Sequence, residues 1–237
     1  VKINHAPKLY PAMAQKIFEW IKPWTARLVH SIQINNKTLK TIMKKALLIL
    51  LVGLTSVSYA QKIKLVEGDL SVLKDQKGLK TIFSYDDMSV GKFPKEADYI
   101  AKKKSDYNAK EAGSGDKWEK AWYDDRKERF EPQFRELFSK YAEMSTVVED
   151  APYTLIFKTT KTEPGWNIGV TRSSAFIDGE AWIVKSDTPD KAIAKITITK
   201  APGRDAFGVD YETGARLSES YAQAGKELGS FISKNAK

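Results

Sequence analysis

Ser71-Val72-Leu73-Lys74 has the S-x-x-K spacing with which serine acyl enzymes set a lysine amine near a serine hydroxyl. Those enzymes place the motif at a helix start. Here it follows the alternating stretch Lys62–Glu67 and is expected to close a strand, and nothing else of that signature set accompanies it. Carboxylates offer a second chemistry. Asp86-Asp87, Asp124-Asp125 and Asp178 with Glu180 could each supply the acid pair of a glycoside hydrolase. Carboxylates this common mostly serve turns and solvated faces, and Asp178-Gly179 reads as turn chemistry. Asp187 and Asp190 lack the spacing of an EF-hand calcium loop. These patterns give no catalytic residue, no metal site and no cofactor.

The stretch "EPGWNIGVTR" is the stronger candidate for binding. Pro164-Gly165 turns the chain and presents Trp166 and Asn167, with Arg172 shortly after. An aromatic ring beside amide and guanidinium donors suits a sugar, a carboxylate or a protein partner. The plainer and commoner alternative is that Trp166 packs at a strand start and Arg172 pairs with a nearby acid. Trp118 and Trp122 lie on a helical stripe and are expected in the core, not on a ligand platform.

Composition narrows the chemistry further. The formal charge of +9 invites a nucleic-acid partner, but the charge is unevenly spread. Residues 1–60 hold nine basic side chains and one acid, Glu19, leaving 30 basic against 29 acidic residues in 61–237. A nearly neutral domain lacks the positive field that dominates phosphate binding, so no nucleic-acid partner is expected. The run Lys102-Lys103-Lys104 reads as a solvated helix face. The chain has no cysteine, and its two histidines are His5 and His30. Residues 61–237 therefore cannot build a Ser-His-Asp or Cys-His centre, or a zinc site of the usual His/Cys type.

The elements around these residues follow from turn signals and periodicity. Met43–Gln61, "MKKALLILLVGLTSVSYAQ", joins a short basic start, an apolar run and small residues before Gln61, the plan of a secretory signal peptide cut after Ala60. Residues 1–42 show no turn-and-strand rhythm. They are expected to be translated upstream sequence or a disordered extension, with 43–60 the leader and 61–237 a single domain. Lys62–Glu67 and Leu79–Tyr85 read as strands, expected to pair antiparallel because the connection is short, with Leu70–Leu73 continuing the first. Pro94 suits the first turn of a helix over about 95–110. Asp116, after a Gly-Ser-Gly break, suits the cap of a second, and Pro132 predicts a kink or fresh helix start near Glu131. Strands follow at 153–159, 166–171, 175–185 (with a bulge or turn at Gly179) and 192–200. A last helix runs from Tyr211 to Lys234. Its glycines Gly225 and Gly229 are unfavourable in mid-helix and imply close approach to a neighbour.

The order ββ-αα-βββ-α predicts an α+β fold: a two-layer sandwich whose mostly antiparallel sheet of about five strands is covered by helices. The leader "MKKALLILL…SYAQ", the "EPGW" turn and the closing "DYETGARLSESYAQAGKELGSFI" helix resemble uncharacterised secreted α/β proteins of Bacteroidetes, a family with no established activity. More loosely the layout is similar to small domains of envelope transport accessory lipoproteins, although the lipidated cysteine of those proteins is absent here. The resemblance implies a periplasmic or secreted, non-catalytic binding or accessory protein of the bacterial envelope, with an envelope protein or glycan as partner. A carboxylate-dependent glycan hydrolase and a lipid or small-ligand carrier are the alternatives. The hydrolase requires paired acids in a groove, and the carrier an enclosed apolar cavity between helices and sheet.

Overall fold

The computed structural model describes residues 61–146, 149–167, 172–203 and 213–237, and Glu19 alone before them. The chain divides into two units, Val1–Ser58 and Tyr59–Lys237, and the elements below all belong to the second. The leader at 43–60 and the segment 1–42 lie outside the described residues.

The strands are β1 (Lys62–Gly68), β2 (Lys80–Ser84), β3 (Ser89–Val90), β4 (Tyr153–Glu163), β5 (Trp166–Asn167), β6 (Arg172–Ser173), β7 (Phe176–Lys185) and β8 (Thr188–Pro202). The helices are α1 (Glu96–Asn108), α2 (Ser114–Asp125), α3 (Glu131–Ala142) and α4 (Thr213–Asn235). One sheet runs in the order β1-β8-β7-β4-β2, with β3 also on β4, and β5 and β6 form a separate two-stranded ladder. The α+β sandwich expected from sequence is the observed class, with six strands in the main sheet.

Pairing is antiparallel across β1-β8-β7-β4, while β2 and β3 run parallel to β4. This corrects the expectation that β1 and β2 pair. They lie at opposite edges of the sheet. The reason sits in their connection, where Ser71–Leu73 forms a 3₁₀ turn instead of continuing the strand. Leu70 and Leu73 on that turn are buried, so the chain crosses under the core instead of reversing in a hairpin. The helices α1 to α3 then form the long crossover that a parallel β2–β4 pair needs.

The sheet has two unlike faces, as alternation requires. Leu155 and Phe157 of β4, Ile177, Ala181 and Ile183 of β7, and Ala194, Ile196 and Ile198 of β8 are buried. Their neighbours Ile156, Lys158, Glu180, Trp182, Lys195 and Thr197 are only partly covered. The predicted irregularity at Gly179 is present as a register shift between Ile177 and Gly179. A side chain there would meet the Lys158 carbonyl and the Phe157 ring at 2.9 Å.

Helices α3 and α4 supply the covering layer. Leu217, Tyr221, Ala224, Leu228 and Ile232 of α4 make the expected stripe, and all are buried. Tyr221 stacks on Phe130 with ring centroids 4.8 Å apart, and its hydroxyl pairs with that of Thr159 at 2.9 Å. Phe134 and Phe138 fill the space beneath and are fully buried. The close approach implied by the α4 glycines is present. A Cβ on Gly225 would lie 2.3 Å from the Phe134 carbonyl oxygen, and one on Gly229 would lie 2.8 Å from that of Phe138.

The helical middle follows its sequence in part: Pro94 lies before the N-cap and not in the first turn of α1. Lys95 is the extended residue before α1, with Pro94 just outside the helix. Between α2 and α3 the chain makes a π-helical turn, Arg126–Phe130, in which the Glu131 N–H bonds the Arg126 carbonyl. Pro132 has no N–H to give, so the wider turn falls where the α ladder is already interrupted. Asp116 is not the cap of α2. Gly113, in the left-handed region at φ 80°, holds that position, and Asp116 instead sits in the first turn bonded to Lys104.

Candidate functional site

The α1–α2 hairpin is bound tightly at its turn. Gly115 is buried, and a side chain there would meet the Lys104 carbonyl at 2.2 Å, so α2 can press against α1. The Asn108 amide oxygen accepts from the Gly115 N–H at 2.7 Å. The Ser114 hydroxyl lies 2.8 Å from the carbonyls of Tyr107 and Glu111. The Lys104 ammonium bridges Asp116 and Glu119, each at 2.8 Å. These bonds hold the amine charged well above the ordinary lysine range and hold the Asp116 carboxyl below its own. Lys102 pairs with Asp106 one turn on, and the Lys103 ammonium lies over the Tyr99 and Tyr107 rings. The basic run is thus a bonded helix face rather than a free positive patch.

This packing builds a column of rings. Trp118 stacks against Tyr107 at 5.8 Å and against Trp122 at 5.6 Å, with planes 29° apart in both pairs. Tyr99 meets Trp118 and Trp122 from the core side. The Trp122 indole N–H donates to Glu96 at 2.6 Å, and the same carboxylate receives Arg126 at 2.6 Å on both oxygens. The Arg126 guanidinium also lies 4.3 Å from the Tyr85 ring centre and 4.9 Å from that of Tyr123. Trp122 is a core residue, as expected. Trp118 is only partly covered.

The uncovered side of the column borders a cleft of about 380 Å³ between the α1–α2 turn and the first turn of α4. Tyr107, Trp118, Ala121 and Trp122 form its apolar wall, Lys110, Glu111, Lys117 and Asp125 its charged rim, and Thr213 and Gly214 its far side. The volume falls in the range of small-ligand sites. Asp125 packs on Gly214, where a Cβ would lie 2.0 Å from its carboxylate, and pairs with Arg129 at 3.0 Å. Burial raises the Asp125 carboxyl above its ordinary range against the pull of Arg129, with Glu128 and Asp124 adding to the rise.

The hairpin expected to bind sits differently. Gly165 has φ 73°, and a side chain there would strike the Ser173 carbonyl at 2.8 Å, so the turn requires glycine. Trp166 pairs across the ladder with Ser173, and Asn167 with Arg172. Trp166 is 43% exposed, so it does not pack into the core. The side chains of Asn167 and Arg172 lie outside the described residues. The hairpin and the cleft share one support. Buried Arg216 on α4 donates to the Pro164 carbonyl at 3.2 Å and to the hydroxyl of Thr213, on the cleft wall, at 3.1 Å.

The remaining candidates are accounted for by local bonds. Ser71 donates to Asp69, holding that carboxyl below its usual range, and both it and Lys74 are exposed on the 3₁₀ turn. Asp86 accepts from Ser84, Asp124 pairs with Lys120, Asp178 accepts from the Lys200 N–H, and Glu180 accepts from the Trp182 indole. Of the three acid pairs only Asp125 reaches the cleft. No cluster of three metal-ligating side chains occurs among the described residues. No helix among them is long and apolar enough to cross a membrane.

No family model and no curated protein matches the chain. Among solved structures it is similar to the PelC dodecamer from Paraburkholderia phytofirmans, at 9% identity and TM-score 0.32, over 69% of this chain and 96% of that one. It is also similar to a DUF330-family protein from Xanthomonas campestris, at 14% identity and TM-score 0.33, over 45% of this chain and 60% of that one. A likeness this distant bears on neither ligand nor partner.

Proposed function

We propose that this chain is a non-catalytic binding protein of the bacterial envelope, exported through the leader at 43–60, and that it takes its ligand in the aromatic cleft. The observation that carries this reading is the cleft itself, an apolar ring wall with a charged rim. The absence of histidine and cysteine from 61–237 supports it. So does the resemblance of the leader and closing helix to secreted Bacteroidetes proteins. The carrier alternative in its enclosed-cavity form loses its support. Tyr221, Phe157, Phe134 and Phe138, each at most 1% exposed, fill the space between helices and sheet where an enclosed cavity would have to lie.

The hydrolase reading keeps one specific observation: Asp125, raised by burial, shares the cleft with Glu111. Its ion pair to Arg129 and its packing on Gly214 give that carboxylate a structural task instead. Both readings are tested by adding envelope glycan and amphiphile fractions to the full chain while following indole N–H resonances. The binding reading expects the Trp118 signal to move and no new reducing ends to appear. Reducing ends released by wild type but not by Asp125→Asn would install the hydrolase. A Trp118 signal unmoved by every fraction would remove the cleft from the account.

A further inference from the structure

The cleft joins an apolar wall to a charged rim. Trp118 lies beside Tyr107 and Trp122, with ring centroids 5.8 and 5.6 Å away and planes 29° apart. The Tyr107 ring carries the ammoniums of Lys103 and Lys110 at 5.7 and 5.6 Å. The rings of Tyr107, Trp118 and Trp122 give the cleft an apolar wall.

The rim places two lysines beside this wall. Lys110, just past the end of α1, and Lys117, in the first turn of α2, are exposed and make no ion pair with any carboxylate among the described residues. Asp106 feels Lys110 at longer range, but it is bonded to Lys102. Against them stand Glu111 and Asp125, and Arg129 offsets the second. An apolar slot with two rim ammoniums that have no carboxylate partner among the described residues is complementary to a molecule with an apolar body and one anionic group.

We infer that the cleft binds a small anionic amphiphile, an aromatic or acyl body bearing a carboxylate or sulfonate, with Lys110 and Lys117 holding the anion and Tyr107, Trp118 and Ala121 the apolar part. The inference rests on the proposed binding function and names its ligand class. The probes are anilinonaphthalenesulfonate and its uncharged counterpart N-phenylnaphthylamine, titrated into the full chain by fluorescence. The sulfonate binds once per chain, more tightly than the neutral probe, and weakens as salt is added. Lys110→Gln and Lys117→Gln each weaken the sulfonate by about two- to fivefold and leave the neutral probe unchanged. Ala121→Trp, at an exposed position on the cleft wall, fills the slot without touching the core and reduces binding of both probes. Equal affinity for the two probes, with both lysine variants silent, overturns the anionic ligand class and leaves the cleft as a plain apolar site. Binding of either probe that Ala121→Trp does not change overturns the cleft as a site, and the proposed function with it.

Discussion

Replacing Gly225 by alanine separates two effects of opposite sign. Alanine favours a helix over glycine by about 1 kcal/mol, so helix propensity alone predicts a more stable protein. The structure predicts the reverse. The new Cβ would lie 2.3 Å from the Phe134 carbonyl oxygen, 3.0 Å from its carbon and 3.1 Å from its α carbon, where ordinary contact begins at 3.4 Å. These are backbone atoms of α3 and cannot swing aside. The two helices must part by roughly 1 Å, a gap that forfeits a quarter to a half of the dispersion well for each pair affected. Overpacking of this kind costs about 1–3 kcal/mol, leaving a net loss of about 0–2 kcal/mol after the propensity gain. Urea and thermal unfolding of the full chain would read this, the melting point falling about 2–4 °C for each kcal/mol. Gly229→Ala, whose closest contacts are 2.8 and 2.9 Å, should lose less, and Gly225→Leu more. A Gly225→Ala protein that melts above wild type would refute the tight α3–α4 contact.

Three further outcomes follow from the same packing. Tyr221→Phe strands the Thr159 hydroxyl in the core and should cost about 1 kcal/mol in chemical unfolding. Arg126→Ala removes two of the three side-chain hydrogen bonds to Glu96 and uncovers the Tyr85 ring, a loss of about 2–3 kcal/mol. Arg126→Lys should recover less than half of that, because an ammonium cannot bridge both oxygens and lie flat on the ring. Asp125 gives a pH signature. Its carboxyl is raised in the folded chain above the 3.8 of the unfolded one, so the folded state binds the proton more tightly. Stability therefore falls as pH climbs from 3.8 through the raised value, and above it the penalty is complete. Asp125→Asn should raise the melting point at neutral pH and bring little gain below pH 3.8, and equal gains at both would contradict the burial argument.

Most local signals in the sequence carried through to the structure, the Asp116 cap and the Leu70–Leu73 strand excepted, and long-range ones did not. The α4 stripe, the close approach at Gly225 and Gly229, the fresh start of α3 at Pro132 and the irregularity at Gly179 each follow from residues within a turn or two of one another. The partnership of β1 with β8, 120 or more residues apart, has no local trace, and the short connection to β2 pointed the wrong way. Burial of Leu70 and Leu73, on a stretch that reads equally well as strand, is what decided it. The cleft was hidden for a similar reason. Trp118 and Trp122 announce a helical stripe, but their neighbours Thr213 and Gly214 arrive from nearly a hundred residues away. The one available hint was the density of lysine, glutamate and glycine in 110–117, a turn more polar than closure of a helical hairpin demands.

The central claim is that the cleft retains an intact ligand. Equilibrium dialysis of the full chain against the small-molecule fraction of an envelope extract, with mass spectrometry of both compartments, tests it directly. The account predicts an anionic amphiphile concentrated on the protein side, chemically unchanged, and lost with Ala121→Trp. A compound that is cleaved during dialysis, or one retained equally by Ala121→Trp, would contradict it.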